Sequence, residues 1–146
     1  MRALPIFALF IAGCASETRV EQPANDTAVE AAKPTADVPE LAGEWRVTKI
    51  EGGDAAGLGM TASFTGGQAS LTTGCIRRAW TYTQNRNIVS FKSNPAGSAN
   101  CGGGTPSGDA ETAYAALERA NIAIFAKQGK EASLSGTGGN LTLERR

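Results

Sequence analysis

Two cysteines bracket a pair of alternating segments, and this arrangement constrains the fold more than any other feature of the 146-residue chain. The stretch opens at Gly74-Cys75, runs through Trp80-Thr81-Tyr82-Thr83 and turns at Gln84–Asn87. It returns through Ile88-Val89-Ser90-Phe91 and, after a Pro/Gly/Ser turn, meets Cys101. Two strands joined at one end, with a cysteine near each open end, are the pattern of a hairpin closed by a disulfide. A Cys75–Cys101 bridge would stabilise the domain by roughly 3–4 kcal/mol in the chain-entropy model. A redox or metal role is the alternative. It lacks a Cys-x-x-Cys pair, and the chain has no histidine to complete a zinc site.

The rest of the ordered chain repeats the two-residue alternation. Trp45 and Val47 alternate with Arg46 and Thr48, and Met60, Ala62 and Phe64 alternate with Thr61 and Ser63. Gly66-Gly67 makes a turn into a strand carrying Ala69 and Leu71 on one face. Three further strands are predicted at Ile122–Ala126, Ala132–Ser135 and Leu141–Glu144. The one helix predicted covers Asp109–Ala120, with Asp109 as its cap, Arg119 in its last turn, and Ala110, Ala113, Tyr114 and Leu117 on one narrow apolar face. The fold expected is mainly β with some α: a small antiparallel barrel or half-barrel, plugged or flanked by a single helix.

Ahead of the domain the composition changes twice. Met1-Arg2 is a short basic start, and Ala3–Ala12 is an apolar run too short to span a bilayer but suited to a secretory signal. It ends in Ile11-Ala12-Gly13-Cys14, which resembles a bacterial lipobox. That resemblance implies a signal peptide over residues 1–13, acyl chains on Cys14, and a lipid anchor in the cell envelope. Ala15-Ser16 after the cysteine implies the outer membrane, facing the periplasm. Residues 14–40 read as a disordered tether, with six acidic and two basic residues from Glu17 to Glu40. Residues 41–146 form the expected domain, with eight acidic and eleven basic residues. So mild a basic excess, without an aromatic-basic platform, argues for no nucleic acid partner.

Several features in order resemble the META domain, the family of the HslJ heat-shock protein: Leu41-x-Gly43-x-Trp45, Gly74-Cys75 with the strand pair after it, Cys101, a helix carrying Glu111 and Leu117, and a closing Leu141-x-Leu143. The chain has Ile76 where that family usually has Asn, and Ser98-Ala99-Asn100 where it often has Thr-x-Met. The resemblance implies a non-catalytic domain with a binding or structural role in envelope or stress physiology. The alternative function is a periplasmic inhibitor of a lysozyme-like or other hydrolytic enzyme.

No catalytic constellation is legible. Without histidine there is no Ser-His-Asp or Cys-His pairing, Asp109 and Glu111 diverge on a helix, and the glycines after Cys101 lack the end of a phosphate loop. No cofactor or metal is expected, and the protein is expected to be a monomer. Trp45, Trp80 and Tyr82 read first as core or barrel-mouth residues, with contact to a small apolar ligand as the alternative. Arg77, Arg78, Arg86 and Lys92 put positive charge on the central hairpin. Their neutral reading is a solvated edge, and their sharper one is contact with an anionic lipid or envelope polymer. Arg77 and Arg78 are adjacent, so on a strand they should point to opposite faces and only one should serve a given patch. Arg78 is the one carried as a ligand contact, and an unidentified envelope protein is the other candidate partner.

Overall fold

In a computed structural model, the described residues are 39–102 and 104–146. The expected signal peptide, Cys14 and the tether up to residue 38 lie outside them. Nine strands and one α-helix are present among the described residues: β1 Gly43–Ile50, β2 Gly53–Asp54, β3 Thr61–Thr65, β4 Gln68–Thr73, β5 Ile76–Asn85, β6 Ile88–Ser93, α1 Gly108–Glu118, β7 Ala120–Ala126, β8 Glu131–Gly136 and β9 Gly139–Arg145.

All the pairings are antiparallel and follow chain order, and β1 pairs with both β3 and β9. Eight strands therefore close into a barrel, with β2 a two-residue annex on the end of β1. The fold is mainly β with one helix, and the half-barrel alternative falls because β9 returns to β1. The alternation dictates what fills it. Trp45, Val47, Ala62, Phe64, Ala69, Leu71, Trp80, Leu134, Leu141 and Leu143 are all buried, while their strand neighbours face outward. Eight strands enclose a space that side chains can just fill. Here Trp45, Trp80, Tyr114 and Phe64 are the bulkiest of those that fill it.

The helix plugs one end. It packs against β1, β6, β8 and β9, and Ala110, Ala113, Tyr114, Ala116 and Leu117 join the same core as the inward strand residues. It starts earlier than expected, at Gly108, because Ser107 and not Asp109 is the cap. The Ser107 hydroxyl accepts the Ala110 N–H at 3.2 Å, and Asp109 instead adds negative charge to the first turn. It also ends earlier: Arg119 is the C-cap and Ala120 already belongs to β7. The β8–β9 turn closes tightly on this end. A Cβ on Gly138 would run into the Ala115 carbonyl, and one on Gly136 into the Arg119 carbonyl.

The opposite end is closed by the entering chain. Buried Leu41 donates its N–H to Gln84 Oε1 at 2.9 Å, and the Trp45 indole N–H donates to the Leu41 carbonyl at 2.6 Å. Gln84 also donates to the Pro39 carbonyl, and Arg145 to those of Glu40, Ala42 and Gly129. Pro39 and Glu40, expected in the tether, are thus held to the barrel because their carbonyls serve two side chains that close it.

Candidate ligand-binding cleft

The residues of β5 alternate inward and outward, with Ile76, Arg78, Trp80 and Tyr82 on the inner face. Arg78 is at the rim beside the helix, where an inward cation must find partners. Its guanidinium lies 4.4 Å from the Tyr114 ring centroid and donates to Glu111 Oε1 at 2.6 Å. The Tyr114 hydroxyl points back to the Ile76 carbonyl at 3.5 Å. Burial pushes the Tyr114 phenol pKa up, against the opposing pull of Arg78. In the sequence Glu111 stands out only as a helix residue of the META-like pattern that diverges from Asp109, with no partner assigned to it. Parity is the one signal for the contact, since a cation in phase with Trp80 and Tyr82 needs acceptors near the rim.

The chain leaving β6 makes a detour. Asn94 still donates its N–H to the Ala79 carbonyl at 2.8 Å, but Pro95–Gly97 then form a short 3-10 turn away from the sheet. It rejoins β5 at Ala99, which exchanges two N–H···O bonds with Arg77, both 2.8 Å. Two residues further on each side the cysteines meet. Cys75 and Cys101 form a disulfide, with their Cα atoms 5.8 Å apart, the separation of a directly opposed antiparallel pair. The bridge therefore closes the β5–β6 hairpin beyond its bulge.

The detour is stitched down from both sides. Ser98 Oγ accepts the Ala79 N–H at 3.0 Å, Asn94 donates to Gln68 Oε1 at 3.0 Å, and Arg77 Nε donates to the Gly97 carbonyl at 3.1 Å. Between this flap and the strand lies a cleft of about 210 Å³ lined by Arg77, Arg78, Ser98, Asn100 and Pro106. Both arginines line it, contrary to the expectation that only one could. They do point to opposite faces, but the cleft straddles the rim where those faces meet. Among the described residues Arg77 has no carboxylate within 4.0 Å, whereas Arg78 shares Glu111. Of the flap residues, Ser98 and Asn100 stand out in the sequence only as a departure from the family's Thr-x-Met, and Pro106 only by turn composition.

Trp45, Trp80 and Tyr82 do not line this cleft. Trp45 and Trp80 are fully buried core residues, because the inward parity of their strands carries them into the barrel. Among the described residues the Trp80 indole nitrogen has no hydrogen-bond partner. Tyr82 is half-buried in an aromatic cluster, edge-on to Phe64 at 5.4 Å and stacked with Phe91 at 5.9 Å between centroids. Burial, and then the Glu40 carboxylate, push its phenol pKa up. Among the described residues no three of His, Cys, Asp and Glu stand close enough to hold a metal ion.

No protein-family model and no curated protein matches this chain. Among solved structures it is similar to the NMR structure of a protein from Burkholderia xenovorans, with a TM-score of 0.53 and 21% sequence identity. The match covers 87% of this chain and 98% of that one. At that identity the likeness shows the fold alone.

Proposed function

We propose that the chain is a lipid-anchored protein of the bacterial cell envelope whose META/HslJ-like barrel binds or braces a partner and carries out no chemistry. The observation that carries this reading is the Cys75–Cys101 disulfide. Structural disulfides persist in oxidising compartments, and a signal ending at Cys14 would deliver the chain to one. The family reading is supported by placement. Leu41-x-Gly43-x-Trp45 opens the barrel, the cysteine pair closes the central hairpin, α1 follows, and Leu141-x-Leu143 lies on the closing strand. The site offered to a partner is the polar cleft at Arg77 and Arg78, since the barrel interior is taken by its own side chains.

Fractionation of cells expressing the chain tests the anchor. The wild type should sediment with the outer membrane and incorporate labelled fatty acid, and Cys14→Ser should do neither. Fatty-acid labelling that survives Cys14→Ser would overturn it. The inhibitor reading draws on one feature, the disulfide-tied segment Asn94–Ser107. That segment carries no charged residue and is flanked by Arg77 and Arg78, a poor complement to a cationic lysozyme. A lysozyme inhibition assay separates the two readings, with no inhibition expected.

A further inference from the structure

The outer wall of the barrel carries three exposed isoleucines close together: Ile88 at 67%, Ile124 at 54% and Ile122 at 44% exposure. Ile88 and Ile122 face each other in the single residue pair that joins β6 to β7, and Ile124 follows two residues along on the same face. Their lateral neighbours are uncharged: Asn85 opposite Ile88, Ser135 opposite Ile122, and Ser133 opposite Ile124. Cations stand along the rim of this patch. Arg86 occupies the turn just before Ile88, and Lys127 and Lys130 follow the end of β7. Lys127 is paired with Glu131 at 2.7 Å, but among the described residues Arg86 and Lys130 have no carboxylate within 4.0 Å.

The same rim receives the entering chain. Pro39 packs on the turn that follows β7, so closely that a Cβ on Gly129 would lie 3.0 Å from the Pro39 Cβ. The chain therefore enters at the same end of the barrel that carries Arg86, Lys127 and Lys130. An apolar patch edged by cations is the composition of a surface that inserts shallowly among acyl chains while its charges meet anionic headgroups. A second copy of the chain fits less well. A two-fold contact through the three isoleucines with the strands of the two copies running parallel would set Arg86 and Lys130 of one copy against the like charges of the other.

We propose that this end of the barrel, through Ile88, Ile122 and Ile124 with Arg86 and Lys130, docks on an anionic bilayer surface. The proposal rests on the reading of the chain as membrane-anchored but assigns the protein part of the contact, so the two can fail separately. The test uses the chain from Ala15 to Arg146, which lacks both the apolar run and the acylated cysteine yet keeps every residue of the described core. It is sedimented with vesicles of phosphatidylglycerol and phosphatidylethanolamine, and in parallel with phosphatidylcholine vesicles, at low salt.

Binding to the anionic vesicles is expected, at least tenfold weaker for Ile88→Ser/Ile124→Ser. Arg86→Gln/Lys130→Gln should lower binding to the level seen with phosphatidylcholine. Circular dichroism melts of these surface variants should match the parent. No binding to either vesicle, or binding unchanged by the isoleucine substitutions, would overturn the docking surface while leaving the Cys14 anchor untouched. Self-association that the same isoleucine substitutions abolish would also overturn it, by making the patch an interface between copies.

Discussion

The Arg145 guanidinium lies 4.5 Å from the centroid of the Trp45 ring, so the last strand of the barrel clamps the first through a cation–π contact. Its three donating nitrogens reach the carbonyls of Gly129 at 3.3 Å, Ala42 at 2.9 Å and Glu40 at 2.9 Å. One side chain thus ties together the entering chain, the β7–β8 turn and β9. Arg145→Ala should cost about 1–3 kcal/mol in urea unfolding. Arg145→Lys should recover little of it, because an ammonium cannot reproduce a planar fork that reaches three carbonyls. Equal stability of the Ala variant and the wild type would show that the clamp is incidental.

Reduction of Cys75–Cys101 should lower stability by about 3–4 kcal/mol, since the unfolded chain regains the freedom of the closed loop. Cys75→Ser and Cys101→Ser should each destabilise similarly, and the double variant should add little, because the same bond is lost in each. The second consequence is local. Once reduced, the flap at Asn94–Ser98 keeps only its hydrogen bonds, so the Arg77 and Ala99 amides, which bond each other's carbonyls, should exchange faster while those of β8 and β9 change little.

The chain has two tyrosines, and burial holds both phenols above their ordinary 10.0. The folded state therefore binds these protons more tightly than the unfolded chain does. Their contribution to stability is complete below the ordinary tyrosine value and is lost as pH rises through it toward the folded values. Absorbance of the phenolate should stay flat in the native protein past the ordinary value. In Tyr82→Phe only Tyr114 reports, and adding Arg78→Gln should move its transition higher, because the guanidinium favours the phenolate. A downward shift would place Arg78 elsewhere.

Gly136→Ala should destabilise by at least about 3 kcal/mol, the upper end for overpacking a tight site. The new Cβ meets the Arg119 carbonyl and the Ala120 Cα, which are backbone atoms that cannot swing aside. Gly57→Ala, where nothing lies within 4 Å, is the matched control and should be near neutral. Similar melting temperatures for the two would show that the β8–β9 turn yields easily.

The strands were legible because their inward residues alternate: Met60, Ala62 and Phe64 announce β3 as clearly as Trp45 and Val47 announce β1. The hairpin closed by Cys75 and Cys101 was legible for the same reason, and so was the apolar face of the helix. Its start was not, since Ser107 and Asp109 are both good caps and only the backbone conformation at Ser107 decides between them. The cleft was hidden for a different reason. Alternation assigns Arg77 and Arg78 to opposite faces, but it says nothing about a flap that folds over the rim and gathers both. Contacts such as Arg145 on Trp45, or Pro39 on Gly129, join distant parts of the chain and have no local signature.

The meeting of β1 and β9 also orders events in time. Synthesis begins at the N-terminus, so β1 is made long before its closing partner exists, and Trp45 cannot be covered by Arg145 until nearly the whole chain is present. The hairpins β3–β4, β4–β5 and β8–β9 need only short loops to form, whereas closure must gather the two ends of the domain. Until then a tryptophan-bearing edge stands open. A chain truncated after Gly138, which lacks β9, should therefore be an open, protease-sensitive sheet, whereas the chain that includes β9 should resist the same protease.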